Sequence, residues 1–230
     1  MHKGALNTIN YQCVSDLEQQ GLSFSVKGYS LRGSLAKPAS DTKDVVLLLH
    51  PHPLYGGDMD NPVIRSLENE FHKFGFATFR FNFRGALNSH ELFAGVQGAV
   101  EDTSRAYQTL QDSGFHPIGV VGYSFGGSTA LRFAATTTLD FVITLSASFN
   151  LFTENGYSAG NLSLIKYPIL MFHGNSDTMV SFTDMEKIAE NIGSNVTSVQ
   201  LSGEGHFYLR SLPRVLDEIS KFIFTLLNRE

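Results

Sequence analysis

IGVVGYSFGGSTALRF, residues 118–133, predicts a buried strand, a tight turn and a helix. Ser124 stands at the turn, with Gly122 and Gly126 two residues away on either side, in the pattern G-x-S-x-G. At such a bend the chain leaving the strand and the chain entering the helix nearly touch, so a Cβ at either glycine would clash. The bend predicts a strained backbone at Ser124 and a hydroxyl beyond the sheet edge. The pattern alone is also that of a glycine-rich turn without chemistry, so the rest of the chain decides between the two.

The composition predicts one α/β domain over residues 1–230. Hydrophobic residues make up 42% of the chain and charged residues 17%, which is typical of a globular protein with a large buried core. The formal net charge of −5 and the lack of a run rich in Lys and Arg argue against a nucleic-acid partner.

Cysteine usage and hydropathy predict a cytoplasmic protein. Cys13 is the single cysteine, which excludes an internal disulfide and a Cys-based zinc cluster, and its place near the N-terminus favours an incidental residue over a catalytic one. Residues 1–21 lack the continuous apolar core of a signal peptide, and no stretch approaches the ~20 apolar residues of a membrane span. We therefore expect no membrane association, and the sequence leaves the oligomeric state open.

Strand and helix patterns alternate after an N-terminal hairpin. The hairpin is predicted from alternating runs at 22–26 and 31–37, separated by Gly28-Tyr29-Ser30. A continuous apolar run predicts a strand at 44–49 that is covered on both faces, and further strands are predicted at 77–83, 141–145, 169–172 and 196–201. Helical spacing predicts helices from Pro62 towards Gly75, at about 98–112, at about 181–192 and from Pro213 onwards. This order predicts a mostly parallel sheet, with an antiparallel hairpin before it and helices on both faces.

Two further reactive side chains follow strands in the same way as Ser124. Asp177 lies in H-G-N-S-D after the strand ending at Phe172, and His206 lies in G-E-G-H-F after the strand ending near Leu201. In a parallel sheet the carboxyl ends of the strands meet at one edge. A serine hydroxyl needs a base, which His206 would supply, and a carboxylate such as Asp177 would fix the tautomer of that base. Asp177 could instead be a helix cap or turn residue, and His206 a surface loop residue; the order Ser, Asp, His at three strand ends favours a catalytic triad.

The loop after the first parallel strand, HPHPLYGG at 50–57, is the expected source of an oxyanion donor. Its two prolines have no N–H, so the nearest donors are the amides of His52 and Leu54, together with the Phe125 amide from the turn. We favour His52. No carboxylate or cysteine is spaced to make H-P-H a metal site, and the triad needs no metal, so we expect neither metal nor cofactor. His50 and His173 are interpreted as hydrogen-bonded structural histidines.

These motifs resemble the α/β-hydrolase superfamily over about residues 22–228. G-Y-S-F-G-G is similar to its nucleophile elbow, H-G-N-S-D to its acid segment and G-E-G-H-F to its histidine loop. The HPHPLYGGDMDN and FNFRG segments resemble a bacterial branch of small esterase-like proteins related to dienelactone hydrolases. The resemblance implies a hydrolase that uses Ser124, Asp177 and His206. The chain departs from it in having serine where dienelactone enzymes have cysteine, and in lacking the second glycine of that branch within 86–89.

Specificity is less strongly indicated by the sequence. About 20 residues, 146–167, separate the strand ending near Leu145 from the acid-bearing strand, so no large lid is expected. That segment is either an apolar flap over an acyl group or a small packed loop. Arg84 either meets a negatively charged substrate group or forms structural hydrogen bonds. The candidate substrate contacts are Leu54, Tyr55, Arg84, Phe149 and Phe152.

The predicted function is hydrolysis of small or medium carboxylic esters through an acyl-serine intermediate. Thioesterase and peptidase activities would use the same groups and stay open as alternatives. A further alternative is a non-catalytic binding protein with the same fold, because a fold alone does not establish a function.

Overall fold

A sheet of eight strands runs through the computed structural model, which describes residues 18–38, 41–87, 89 and 92–228. Cys13 and Asn88 lie outside the described residues. The strand order in space is β1-β2-β4-β3-β5-β6-β7-β8, in which β1–β2 and β2–β4 are antiparallel and the other neighbours parallel. The predicted mostly parallel sheet with an antiparallel hairpin before it is therefore confirmed. The strands are β1 Glu18–Val26, β2 Tyr29–Lys37, β3 Asp44–Leu49, β4 Ala77–Phe81, β5 His116–Tyr123, β6 Phe141–Leu145, β7 Ile169–Gly174 and β8 Val196–Leu201.

Helices cover both faces of this sheet, as predicted. Successive residues of β3 point to opposite faces, so that Val46 and Leu48 pack towards one layer of helices and Val45 and Leu47 towards the other. The helices α1 Pro62–His72 and α6 Leu212–Leu227 lie on the first face, and α2 Gly95–Asp112, α3 Phe125–Ala134 and α5 Phe182–Ile192 on the second. Of the helices in the described part of the chain, none is long and apolar enough to cross a membrane.

The hairpin turn lies earlier in the chain than the sequence predicted. Tyr29 and Ser30 belong to β2 and pair with Val26 and Ser25 of β1. The turn consists of Lys27 and Gly28, at φ 48° and 87°. Positive φ at both central residues gives a two-residue turn whose twist matches that of the strands, and the sequence interpretation missed Lys27 in that role.

Strand β4 ends two residues earlier than predicted. The Asn82 amide still donates to the carbonyl oxygen of Arg32 in β2 at 3.2 Å, but residues 82 and 83 also bond to loops. The Asn82 side chain accepts a hydrogen bond from the Met59 amide at 2.8 Å, and the Phe83 amide donates to Nε2 of His50 at 3.0 Å. Residues 82 and 83 thereby support the loop that follows β3, which carries His52.

The segment between β6 and β7 is a packed loop. It contains the short helix α4, Phe149–Phe152, and two 3-10 turns, Glu154–Gly156 and Ala159–Leu164. Arg132 of α3 anchors it by donating to the carbonyl oxygens of Phe152 at 2.7 Å and Glu154 at 2.6 Å. These bonds favour the packed-loop interpretation over a flap.

Candidate active site

The turn between β5 and α3 has the strained geometry that the sequence predicted. Ser124 has φ 55° and ψ −115°, and its amide donates to the carbonyl oxygen of Leu145 at 2.7 Å. A Cβ at Gly122 would overlap the carbonyl oxygen of Gly126, and a Cβ at Gly126 would overlap that of Leu49. Because these obstacles are backbone atoms, only glycine fits at the two flanking positions.

Three side chains from different strand ends meet at this turn. His206 Nε2 lies 3.0 Å from Ser124 Oγ, and His206 Nδ1 lies 2.7 Å from Asp177 Oδ2. All three side chains are buried. The ring nitrogens of His206 therefore connect a hydroxyl to a carboxylate in the geometry that activates a serine.

Asp177 is held in place from several directions. Its Oδ1 accepts hydrogen bonds from the amides of Met179 and Val180, both at 2.9 Å, so the side chain also closes the turn after β7. His173 Nε2 lies 3.5 Å from Oδ2. Burial raises the pKa of Asp177, but hydrogen bonds from His173, His206 and Val180 outweigh it, and the net pKa lies well below its usual range. The carboxylate is thus ionised beside His206 at neutral pH.

Two other carboxylates that could orient His206 in place of Asp177, those of Glu204 and Glu154, form hydrogen bonds elsewhere. Glu204 accepts from the amides of Arg210 and Ser211 at 3.0 and 2.6 Å, which folds the loop between β8 and α6. Glu154 accepts from the Val96 amide at 3.2 Å, at the start of α2. Among the hydrogen bonds that the structure describes for the His206 ring, none involves Glu204 or Glu154.

A tyrosine that the sequence analysis did not single out connects the turn to the histidine loop. Tyr123 precedes Ser124, and its buried hydroxyl donates to the carbonyl oxygen of His206 at 2.8 Å. Its ring centroid lies 5.5 Å from that of His206. The only sequence signal was its place inside G-Y-S-F-G-G, where the pattern itself allows any residue.

The two favoured oxyanion donors lie free of other acceptors. In residues 41–87 and 92–228, no hydrogen bond is described from the amide of His52 or of Phe125. The Leu54 amide, the other donor considered, is bonded to Nδ1 of its neighbour His52 at 3.2 Å. Phe125 is the first residue of α3, so its N–H lies at the helix end that attracts negative charge.

A cavity of about 190 Å³ opens over Ser124 and His206. Of the predicted substrate contacts, Tyr55 lines it, while Leu54 is exposed outside it. Leu151, from the segment interpreted as a flap or a packed loop, also lines the cavity, and so do two large apolar residues that the sequence did not indicate, Met179 and Phe207. A groove of about 740 Å³ between α1 and α6 is larger but contacts neither Ser124 nor His206.

The structure places Arg84, Phe149 and Phe152 outside the described lining of the cavity over Ser124, so it does not support the substrate contacts expected there. Arg84 is 6% exposed, and its Nε and Nη2 donate to Asp102 at 2.8 and 2.6 Å, which supports the structural alternative. Phe152 is fully buried in the core. Phe149 is half-buried outside the cavity, with its amide bonded to Asp184 at 2.9 Å.

The structural interpretation of His50 is confirmed. Its Nδ1 donates to the carbonyl oxygen of Pro51 at 2.6 Å and its Nε2 accepts from the Phe83 amide, which defines one neutral tautomer. Burial lowers the pKa of His50 to about 4, so the ring is uncharged at neutral pH. No group of three or more His, Cys, Asp or Glu in the described ranges is arranged to hold a metal ion.

Known proteins resemble this chain over most of its length. A family model described as the dienelactone hydrolase family matches residues 31–217. An uncharacterized protein of Rickettsia prowazekii (strain Madrid E) is 25% identical over 204 residues, 85% of this chain and 85% of that protein.

Solved structures extend the comparison to the fold. An α/β serine hydrolase homologue from Coxiella burnetii is 24% identical, with a TM-score of 0.77 over 89% of this chain and 97% of its own. An α/β serine hydrolase without a lid from Xanthomonas campestris is 20% identical, with a TM-score of 0.79 over 93% of this chain and 97% of its own. The α/β-hydrolase fold without a large lid, as predicted from the sequence, is therefore confirmed.

Proposed function

Because this chain belongs to the dienelactone hydrolase family, we propose that it is a serine hydrolase that cleaves small or medium carboxylic esters. The observation that carries the proposal is the continuous contact from Ser124 Oγ through both nitrogens of His206 to Asp177, at 3.0 and 2.7 Å. A hydroxyl beside a neutral imidazole oriented by a carboxylate is a nucleophile without help from a metal.

The proposed reaction proceeds in two halves. Ser124 Oγ attacks the ester carbonyl while His206 Nε2 takes its proton, and Asp177 stabilises the imidazolium. The amides of His52 and Phe125 hold the oxyanion. The bond to the alcohol oxygen then breaks, the alcohol leaves with the proton from His206, and an acyl-serine remains. Water, deprotonated by His206, attacks the acyl-serine and releases the acid and free Ser124.

The cavity favours small neutral esters over the alternatives. A volume of about 190 Å³ suits a small substrate, whereas a peptide chain would need an extended groove. No Lys or Arg is among the residues described as lining it, so an acyl-coenzyme thioester with its phosphates would meet no fixed positive charge there. Thioesterase and peptidase activities are therefore less well supported.

A fluorophosphonate probe tests the proposal. We expect mass spectrometry to find one phosphonylated peptide with the adduct on Ser124, because only an activated serine reacts. Ser124→Ala should abolish labelling, and Ser104→Ala, at an exposed serine on α2, should leave it unchanged. If the folded protein carries no adduct on Ser124, the result supports a non-catalytic binding protein instead.

We expect Tyr123→Phe to lower kcat for p-nitrophenyl acetate about five- to tenfold, since one hydrogen bond that positions His206 is lost. The carbonyl oxygen of His206 loses the 2.8 Å bond that fixes the loop, while the reacting groups stay intact. The measurement is a comparison of kcat and KM with thermal unfolding.

Tyr167→Phe is the matched control for this prediction. The Tyr167 hydroxyl donates to the carbonyl oxygens of Ala134 and Thr137 at 2.7 and 2.9 Å, away from the site. That change should lower stability and leave kcat within about twofold. Equal losses of kcat in the two variants would mean that Tyr123 acts only through general stability.

A further inference from the structure

Two large apolar side chains stand exposed at the mouth of the cavity. Met179 is 57% exposed and Phe207 is 60% exposed, yet both line the cavity over Ser124. Large apolar side chains that stay in water beside a reactive group are typical of a surface that receives a ligand. The exposure of Met179 and Phe207 does not help the protein to fold, so we attribute it to binding of a ligand.

Both residues are attached to the part of the site that holds His206 and Asp177. Phe207 directly follows His206, and its ring lies 5.7 Å from the imidazole at an interplanar angle of 83°. The amide of Met179 donates to Asp177 Oδ1 at 2.9 Å, which fixes the main chain of that residue beside the carboxylate. The two residues are therefore tied to the base and to its partner, and not to the oxyanion donors.

The chemistry of acylation fixes where the carbonyl oxygen and the alcohol group of a bound ester must lie. Its carbonyl oxygen faces the amides of His52 and Phe125. Its alcohol oxygen must lie within reach of His206 Nε2, because that nitrogen returns the proton to the leaving group. The rest of the alcohol is thereby directed to the side on which Met179 and Phe207 stand.

We propose, on the basis of the ester hydrolysis put forward above, that Met179 and Phe207 form an alcohol subsite that selects esters of uncharged aromatic alcohols. An aromatic ring gains from edge or offset contact with Phe207 and from contact with the thioether of Met179. A carboxylate on the alcohol would lose hydration without gaining a partner. The buried guanidinium groups of Arg84 and Arg132 do not line the cavity and are engaged elsewhere, Arg84 by Asp102 and Arg132 by carbonyl oxygens.

The alcohol subsite has a kinetic signature that an acyl subsite lacks. The alcohol departs when the acyl-serine forms, so its contacts act on acylation and not on deacylation. With a series of acetate esters, every substrate gives the same acetyl-enzyme. Alcohol contacts then change kcat/KM from one ester to another and leave the deacylation rate constant unchanged.

The test compares two acetates in Phe207→Ala and Met179→Ala. Each change should lower kcat/KM for 1-naphthyl acetate about tenfold, the size of a lost apolar contact, and change it less than about twofold for 2,2,2-trifluoroethyl acetate. The deacylation rate constant, read from the steady phase after a p-nitrophenyl acetate burst, should match the wild type. Leu209→Ala is the matched control, because Leu209 lies on the same loop as Phe207, is 87% exposed and does not line the cavity.

Charge selectivity is tested on the unaltered enzyme. We expect kcat/KM to be about tenfold higher for 4-acetoxybenzamide than for 4-acetoxybenzoate, since only the second carries a carboxylate into the subsite. A preference for the carboxylate would overturn the uncharged class of alcohol.

Other outcomes separate the two proposals. Equal losses on both acetates, or a slower deacylation in the variants, would overturn the alcohol subsite while the burst still supports the serine hydrolase. Absence of a burst together with absence of a phosphonate adduct on Ser124 would overturn the serine hydrolase itself.

Discussion

Asp177→Asn should lower kcat for an activated ester about 10³- to 10⁴-fold in a protein that still folds. The Asn oxygen can replace Oδ1 and keep the hydrogen bonds from the amides of Met179 and Val180. Its NH₂ group then takes the place of Oδ2 and donates to Nδ1 of His206. This forces the hydrogen of the neutral ring onto Nε2, where it points at Ser124 Oγ. The ring nitrogen that should accept the serine proton is therefore blocked.

Initial rates with p-nitrophenyl acetate and a thermal unfolding curve check this result. Asp184→Asn is the matched control, because Asp184 is also buried and accepts a backbone hydrogen bond, from Phe149 at 2.9 Å, but does not contact His206. We expect its kcat to stay within about threefold of the wild type. If Asp177→Asn retained more than a tenth of the activity, another carboxylate would have to hold His206, and Glu204→Gln and Glu154→Gln would be the next variants to measure.

Strand positions were the most predictable part of the fold. The bounds of β3, β6 and β8 match the predicted ranges. Strands β3 and β6 are covered by helices and read as compact apolar runs, whereas β8 is a partly exposed edge strand. Errors arose where local and non-local forces compete. Lys27 gives no turn signal in the sequence, yet the pairing of β1 with β2 places it at φ 48°. Phe83 reads as part of β4, but its amide bonds to His50.

The candidate site was predictable as far as its reacting groups follow strands in a fixed order. Its walls were not, because the sequence does not distinguish an aromatic side chain that lines a cavity from one in the core. Phe149 and Phe152 were expected at the substrate, but Arg132 anchors α4 so that only Leu151 of that helix reaches the cavity. Phe207 follows His206 inside G-E-G-H-F, and Met179 lies two residues after H-G-N-S-D. These positions do not indicate in which direction either side chain points.

Asp102→Ala should lower the free energy of unfolding by about 3–5 kcal/mol, since it leaves the buried Arg84 with only the more exposed Glu101, at 3.3 Å, as an ionic partner. Asp102 accepts three hydrogen bonds from Arg84: one from its amide at 2.9 Å, one from Nε at 2.8 Å and one from Nη2 at 2.6 Å. Burial raises the pKa of Asp102 despite these bonds, so desolvation outweighs the attraction within the pair. Because both charges are buried, we expect the removal of one member to cost more stability than the removal of both.

Urea denaturation of three further variants separates these effects. Glu101→Ala is the matched control: Glu101 lies 3.3 Å from the same guanidinium but is 28% exposed, so its loss should cost no more than about 1 kcal/mol. The double change Arg84→Met with Asp102→Leu should recover most of the stability lost in Asp102→Ala, because neither charge of the pair remains. The free energy of unfolding of Arg84→Met alone should lie between those of Asp102→Ala and the double variant. Phe83, next to Arg84, supports the His52 loop through His50, so Asp102→Ala should also weaken the oxyanion site. If Asp102→Ala costs no more than Glu101→Ala, Arg84 is not committed to Asp102, and its rejected role as a cation for the substrate would have to be reconsidered.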